Sequence, residues 1–485
     1  MAASLRSRAR SVTMRPLVLD VDGTFLRTDM LLECFWGALG RDPLATLAAL
    51  RHLRDRPQLK AELAALAQLR TDLLPVNPDV AARAAAAMAE GREVVLASAA
   101  DRGLVARLAA DHGLSPRVFA SGEGVNLKGA VKAQALVAAF GPRGFDYAGN
   151  EPADRAVWDQ AETALVVGDA ASARALAAAG RPVQHLPGGW SVRALARALR
   201  PHQWVKNVLL LLPMIAAHQF DMATLLPVLL GVVAFSAAAS AIYIVNDLLD
   251  LEADRLHPVK HRRPFAAGAV PIGVGMLACL GLGGVALMIG AALNMAFLGV
   301  LILYMVTSLA YSLRLKRARW VDVATLAGLY TLRVVAGAAA GGIAASLYML
   351  IFVFPVFLTL GCVKRLTELA LAPDAGRLPG RGYGRADRAD LLNVAGLGVF
   401  GALLIFFLYS LSEQGRALYP DSWLMWLAML PIGVWLVRMV ALGWMGRQDH
   451  DPIVFAMRDK LGLGLVMLTL ALMFWAAGLW GQWFG

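Results

Sequence analysis

The sequence predicts two joined architectures, an N-terminal α/β domain and a C-terminal all-α domain that crosses a membrane many times. Three observations carry this. The 485 residues are 58% hydrophobic and only 17% charged, too apolar for a soluble chain of this length, so the surplus must face lipid. The surplus is uneven: residues 1–203 mix charge with Ala and Gly, while residues 204–485 are a succession of long apolar runs. The N-terminal part also opens on a short apolar strand that ends in acids, RPLVLDVDGTFL at 15–26.

The expected boundaries are an α/β domain over 1–187, a linker over 188–203 and a membrane domain over 204–485. Within the first, residues about 28–85 read as a helical insert. The net charge is +11, but its bases sit between the apolar runs. There they orient a membrane domain and meet phosphates, so a nucleic-acid partner is not expected. Cys34, Cys279 and Cys362 are scattered and form neither metal nor redox spacing. The basic start is followed by the VLDVDGT strand with no apolar signal region, so no signal peptide is expected.

Nine membrane spans are expected, at about 205–220, 224–247, 270–292, 295–313, 321–341, 345–363, 391–411, 423–444 and 461–483. Breaks fall at Asp221, Asn294, Gly341-Gly342 and a polar loop over 364–390. Bases cluster after every even-numbered span: Arg255 to Arg263, Arg314 to Arg319, Lys364 onward, and Arg447 to Lys460. The opposite loops hold Arg416 and essentially no other base. The positive-inside rule then places the α/β domain and the basic loops in the cytoplasm, consistent with a protein of the inner (cytoplasmic) membrane.

The most informative stretch is YIVNDLLDLEADRLHPVKHRR at 243–263. On a helix advancing about 100° per residue, Asn246, Asp247, Asp250 and Asp254 fall on one face. A carboxylate in lipid costs roughly 2.5–3.5 kcal/mol, so such a face is expected to line a wet cavity and to hold something positive. Oxygen ligands of this kind suit Mg²⁺, which binds phosphates through one or two carboxylates and water. Lys260, Arg262 and Arg263 follow at once. The plain alternative is a solvated helix end that marks the bilayer surface.

NDLLDLEAD at 246–254 matches the NDxxDxxxD signature, and the membrane half resembles the UbiA-type intramembrane prenyltransferase superfamily, whose fold is nine helices around a lateral cavity. Tyr311 and Lys316 in YSLRLKR match its Tyr…Lys element. RPHQWVKN (200–207), YTLRVVAGAAAG (330–341) and VKRLTEL (363–369) are further similar to the decaprenyl-phosphate phosphoribosyltransferase branch. That resemblance implies transfer of phosphoribose from phosphoribosyl diphosphate to polyprenyl phosphate. Asp247, Asp250 and Asp254, with Asn246, would hold Mg²⁺ on the diphosphate. Asp322 would stabilise the oxocarbenium-like ribose. Lys206, Arg262, Arg263, Lys316, Arg333 and Lys364 are candidates to hold the phosphates, since arginine gives bidentate clamps and lysine a point charge. Lys206 has the alternative of merely snorkelling. The rival readings are a prenyltransferase acting on an aromatic or other small acceptor, and a scaffold or lipid carrier without turnover.

In the N-terminal half, Asp20 and Asp22 emerge on one side of a strand end and Gly23 permits the tight turn. This resembles motif one of the haloacid-dehalogenase superfamily, which implies a doubly wound parallel sheet with a helical cap. The first Asp is then the nucleophile and the second the general acid/base. EVVLASAADR (93–102) ends a second strand in Ser98, the phosphate-binding position. Lys128 or Lys132 is the expected motif-three lysine. DYAGNEPADRAVW (146–158) supplies Asn150 and Asp154 as metal-ligand candidates, with Asn150 where family members carry an acid. Mg²⁺ would be held by Asp20, Asp22, Asn150 and Asp154. The fusion suggests a phosphatase that removes the 5-phosphate left by the membrane reaction, giving polyprenyl-phosphoryl-ribose; the alternative, given Asn150, is a degenerate regulatory or structural domain.

Overall fold

A computed structural model describes residues 14–122, 125–344, 346–372, 378, 381–448 and 451–484. The chain divides into two compact units. One comprises residues 1–198 with 247–277, and the other residues 199–246 with 278–485. The acidic segment is thus grouped with the α/β part.

The first unit is built on a six-stranded parallel sheet, order β3-β2-β1-β4-β5-β6. Its strands are β1 Leu17–Leu19, β2 Val94–Asp101, β3 Val118–Ser121, β4 Asp146–Gly149, β5 Ala164–Val167 and β6 Val183–Leu186. Parallel strands need crossovers, which put helices on the faces and make each strand a continuous apolar run. Leu17, Val18 and Leu19 are all buried, as are Val94 to Leu96. The crossover from β1 to β2 is long. It holds α1 Met30–Arg41, α2 Pro43–Ala49, α3 Arg56–Ala67 and α4 Pro78–Ala89. Asp29, Asp42, Asp55 and Asn77 cap these four helices through their side chains. Later crossovers carry α5 Arg102–Asp111, α6 Ala130–Phe140, α7 Arg155–Trp158 and α8 Ala170–Ala178, and α9 Val192–Ala198 lies in the expected linker. Ser98 sits inside β2, not at its end, because the strand runs on to Asp101.

Residues 201–211 form a 3₁₀ segment, followed by α10 Leu212–Ala216. The succeeding helices are α11 Met222–Leu249, α12 Leu251–Leu256, α13 Ile272–Leu293, α14 Met295–Leu313, α15 Arg319–Gly341, α16 Leu347–Leu371, α17 Arg388–Leu411, α18 Glu413–Leu418, α19 Ser422–Trp444, α20 Pro452–Ala456, α21 Lys460–Ala476 and α22 Leu479–Phe484. Among the described residues, seven helices are long and apolar enough to cross a membrane: α11, α13, α14, α15, α16, α17 and α19. Two of the nine expected spans differ. The 205–220 run is broken by Pro213 and by a left-handed His218, φ 55°. The 461–483 run turns at Gly478, φ 72°, leaving a 17-residue helix before it.

The helix ends follow the polar breaks. Asp221 accepts the Thr224 N–H at 2.9 Å, Asn294 caps α14 through Phe297 N–H at 2.8 Å, and Gly342 closes α15 with φ 65°. The expected loop at 364–390 begins later, because α16 continues to Leu371 and keeps Lys364 and Arg365 helical.

Candidate functional site

β1 delivers Asp20 at its C-terminal end, and the turn Val21–Phe25 brings Asp22 beside it. Gly23 has φ 73°, and a Cβ there would strike the Asn150 amide, so glycine is required for the turn to close over Asn150. Lys132 Nζ lies 2.6 Å from Asp20 Oδ1 and donates to Tyr147 OH at 3.0 Å. Of the two candidate lysines, Lys132 is the one beside Asp20. Lys128 is exposed and pairs with Glu151 at 3.3 Å, which removes it from the site. Asp22 Oδ1 accepts the Met30 N–H at 2.8 Å, and Ser98 Oγ reaches Asp22 Oδ2 at 3.5 Å.

Asp154 does more than the sequence foresaw. Its Oδ1 accepts Tyr147 OH at 2.8 Å, and its Oδ2 accepts the N–H groups of Asn150 and Glu151 at 3.1 Å each. These bonds wrap the 149–154 loop around the carboxylate, so Asp154 organises the loop. Asn150 Oδ1 accepts the Thr24 hydroxyl at 3.0 Å. Lys60, on the insert helix α3, was not foreseen; it donates to Ala99 O at 2.5 Å and to Asn126 Oδ1 at 2.9 Å.

Burial raises the Asp20 carboxyl to about 6; Lys132 pulls it down and Asp154 pushes it up. Burial, followed by the charges of Asp29 and Asp20, raises Asp22 to about 8. At neutral pH Asp20 is thus mainly ionised beside an ammonium, and Asp22 mainly carries its proton. That is the division of labour a nucleophile and a general acid need.

The acidic motif is bent. α11 stops at Leu249, and Asp250 starts α12 with its carbonyl accepting the Asp254 N–H at 2.8 Å. Asp247 and Asp254 are both buried. Arg263 Nη1 bridges them, 3.2 Å from Asp247 Oδ1 and 2.7 Å from Asp254 Oδ2. Asn246 and Asp250 are half-buried, while Lys260 and Arg262 are exposed. Among the described residues no three acid, His or Cys side chains converge as a ready-made metal cage. Mg²⁺ does not require one: two carboxylates with substrate phosphates and water suffice. The hard oxygen donors of Asp247 and Asp254 fit that ion.

In the second unit, several bases expected at phosphates are engaged by protein groups. Arg333 is buried and donates to Asn207 Oδ1 at 3.0 Å, Leu329 O at 2.7 Å and Tyr304 OH at 3.0 Å. All three nitrogens have partners, so Arg333 ties α15 to α14 and to the 201–211 segment. Asp322 was expected to face the ribose. It instead accepts from Arg365 at 2.5 and 3.1 Å and from Tyr311 OH at 2.9 Å. Arg381 lies 3.3 Å from the same carboxylate and donates to Tyr311 OH at 3.0 Å. A carboxylate so neutralised offers little charge to a cationic ribose.

Lys206 pairs with Asp451. Burial opposes ionisation of Asp451, but Lys206 and Lys364 outweigh it and hold its carboxyl down at about 2. Lys316 is half-buried on the 3₁₀ turn Leu315–Arg317 that follows α14. Arg365 and Arg381, which hold Asp322, and Asp451, which pairs with Lys206, were not foreseen. Arg365 lies inside the VKRLTEL run, where an arginine in the middle of an apolar helix was the available signal.

A helical multi-pass membrane protein with a parallel α/β unit is the class these features define. Residues 208–370 match the UbiA prenyltransferase family. A decaprenyl-phosphate phosphoribosyltransferase from Mycobacterium tuberculosis is 33% identical over 285 residues, covering 58% of this chain and 92% of that protein. The chain belongs to the UbiA prenyltransferase family, and its C-terminal part has decaprenyl-phosphate phosphoribosyltransferase homologues. The uncharacterized protein y4nM from Sinorhizobium fredii is 34% identical over 454 residues, 92% of this chain and 88% of that one. Among solved structures, a UbiA homolog from Archaeoglobus fulgidus bound to GPP and Mg²⁺ aligns with 58% of this chain and 99% of its own, at 17% identity and a TM-score of 0.42.

Proposed function

We propose that this transferase moves 5-phosphoribose from phosphoribosyl diphosphate to polyprenyl phosphate at the cytoplasmic face of the inner membrane. The likeness to the mycobacterial phosphoribosyltransferase over 92% of that protein's length carries the reading. The buried Asp247–Arg263–Asp254 arrangement supports it.

Asp247 and Asp254, with Asn246 and Asp250 nearby in the motif, would hold Mg²⁺. When bound, the ion neutralises the diphosphate as the ribose C1–O bond breaks. Arg263 supplies the positive charge that the two acids need while no metal is held, and is released to the donor's phosphates when one is. The acceptor phosphate is already anionic, so the chain needs to position it but not to deprotonate it. Lys206, Lys316 and Lys364 are the lysines for that task, and the exposed Lys260 and Arg262 meet the donor from the aqueous side.

The α/β unit reads as a phosphatase of the haloacid-dehalogenase type, cytoplasmic, with α1 to α3 as its cap. Asp20 attacks the phosphate phosphorus and Asp22 protonates the departing oxygen. Ser98 and Lys132 hold the phosphate oxygens. Asp22 then takes a proton from the water that cleaves the aspartyl-phosphate. Mg²⁺ held beside Asp20 would shield the phosphate charge while Asp22 keeps its proton for the departing oxygen. Its substrate would be the 5-phosphate of the lipid-linked product.

The test incubates the purified full chain with Mg²⁺, polyprenyl phosphate and ¹⁴C-labelled phosphoribosyl diphosphate. The label is expected in the lipid fraction, and the reading fails if it stays aqueous. An Asp20→Asn variant is expected to accumulate the 5-phosphorylated lipid that the unaltered chain dephosphorylates.

A further inference from the structure

Arg255 follows Asp254 directly in the chain, and its guanidinium is anchored within the first unit. Nη1 and Nη2 donate to the two carboxylate oxygens of Glu33 at 3.0 and 2.5 Å, a separation of 222 positions in sequence. The side chains of Glu33 and Arg255 are 1% and 7% exposed. Glu33 lies in the first turn of α1 and also accepts the Thr28 hydroxyl at 2.6 Å. A two-pronged guanidinium–carboxylate contact fixes orientation as well as distance. The neighbouring Arg41–Glu252 pair, 3.3 Å apart, is exposed and adds little.

The remaining nitrogen of Arg255 closes a loop. Nε donates to Ala266 O at 3.1 Å, which folds residues 257–266 back toward α12. Gly268, φ 64°, packs its Cα against Arg27 and Pro75, where a Cβ would clash. Arg263 rides on the folded-back loop, and it is Arg263 that joins Asp247 to Asp254. A continuous set of contacts therefore runs from Glu33 through Arg255 and the loop to the acidic pair.

We propose that Glu33, on the α/β part of the chain, is a positioning residue for the acidic motif of the transferase. By holding Arg255 it keeps the 257–266 loop folded and the carboxylates of Asp247 and Asp254 in one place. This rests on the reading of those two acids as the metal-holding pair. Residues that orient the ligands of a metal typically change its affinity about 10–100-fold when removed.

The test uses the full chain in detergent, with Asp20→Asn throughout so that the α/β site contributes little metal binding. Mn²⁺ is titrated and the free ion is read by electron paramagnetic resonance, alongside hydrogen exchange of residues 251–269. Glu33→Gln is expected to weaken Mn²⁺ binding about tenfold and to speed exchange in that segment alone. Glu33→Met with Arg255→Met leaves no unpaired buried charge and is expected to give the same loss in a folded protein. Glu33→Asp, which keeps the charge, is expected to fall between. Unchanged affinity in the Glu33 variants overturns the inference if Asp247→Asn does weaken Mn²⁺ binding. Faster exchange through the whole first unit in the double-Met variant also overturns it, since the pair would then serve stability only. If Asp247→Asn leaves Mn²⁺ binding untouched, the metal reading of the acidic pair itself fails.

Discussion

Arg365 grips both oxygens of Asp322, at 2.5 and 3.1 Å, and neither side chain has any solvent exposure. The pair fastens α16 to α15, with the Tyr311 hydroxyl bonded to the same carboxylate. Breaking a buried pair by removing one partner leaves an uncompensated charge and costs about 3–5 kcal/mol. Arg365→Met is therefore expected to lower the melting temperature of the detergent-solubilised protein sharply. Adding Asp322→Asn should recover part of that loss, because the fully buried carboxylate is then no longer charged, although Glu368 and Arg381 still lose their ion-pair partners. If Asp322→Asn alone left the melt unchanged but abolished transfer, the acid would be chemical after all.

The acidic motif makes a different kind of prediction. Arg263 holds Asp247 and Asp254 together, so Arg263→Gln leaves two buried carboxylates facing each other. The expected cost is about 3 kcal/mol without metal. Millimolar Mg²⁺ should restore most of it, since a ligand bound only to the folded state stabilises by mass action. Melting curves with and without MgCl₂ check this. An equal deficit in both conditions would mean the acids do not take the ion.

The two lysines of the NLKGAVKAQAL run separate cleanly. Lys132 is buried against Asp20 at 2.6 Å, while Lys128 is exposed beside Glu151. Removing one well-placed electrostatic donor costs about 10²–10³ in rate. Lys132→Met is expected to reduce phosphate release by that order, and Lys128→Met by less than about twofold. Phosphate release from a small phosphomonoester, measured per mole of folded protein, decides between them.

This contrast marks where the sequence is legible. Apolar runs and acid-ended strands depend on local pattern, so β1, the start of β2 and the breaks at Asp221 and Asn294 could be read directly. The choice between Lys128 and Lys132 is a matter of tertiary packing: Lys132, on α6, reaches Asp20, while Lys128 precedes the helix and stays exposed. The partners of Arg333 and Asp322 were hidden for the same reason. The chemistry of these two residues pointed to phosphate and to ribose, while the partners that occupy them, Tyr304 and Arg365, lie 29 and 43 positions away. The Asp250 break escaped notice because DLEAD continues the helical pattern, and nothing in the sequence signalled that Arg263 would bridge Asp247 and Asp254.

The α/β site also fixes a pH dependence. On the proposed phosphatase reading Asp20 must be ionised to attack, and burial lifts its carboxyl to about 6, against the pull of Lys132. Phosphate release should therefore rise as pH climbs through about 6. Asp22 must carry a proton, and burial with the charges of Asp29 and Asp20 lifts it to about 8, so the rate should fall as pH passes that value. The result is a bell in kcat/KM. Mg²⁺ favours ionised Asp20 and is expected to move the lower limb toward acid, leaving a fall on the alkaline side. Stability carries the same sign. Both carboxyls bind protons more tightly folded than unfolded, so the chelator-treated unit should lose stability as pH rises from about 4 to about 8. Phosphate-release rates between pH 5 and 9, with melts in chelator over the same range, test both limbs. A rate that keeps rising beyond pH 9 would remove Asp22 as the acid.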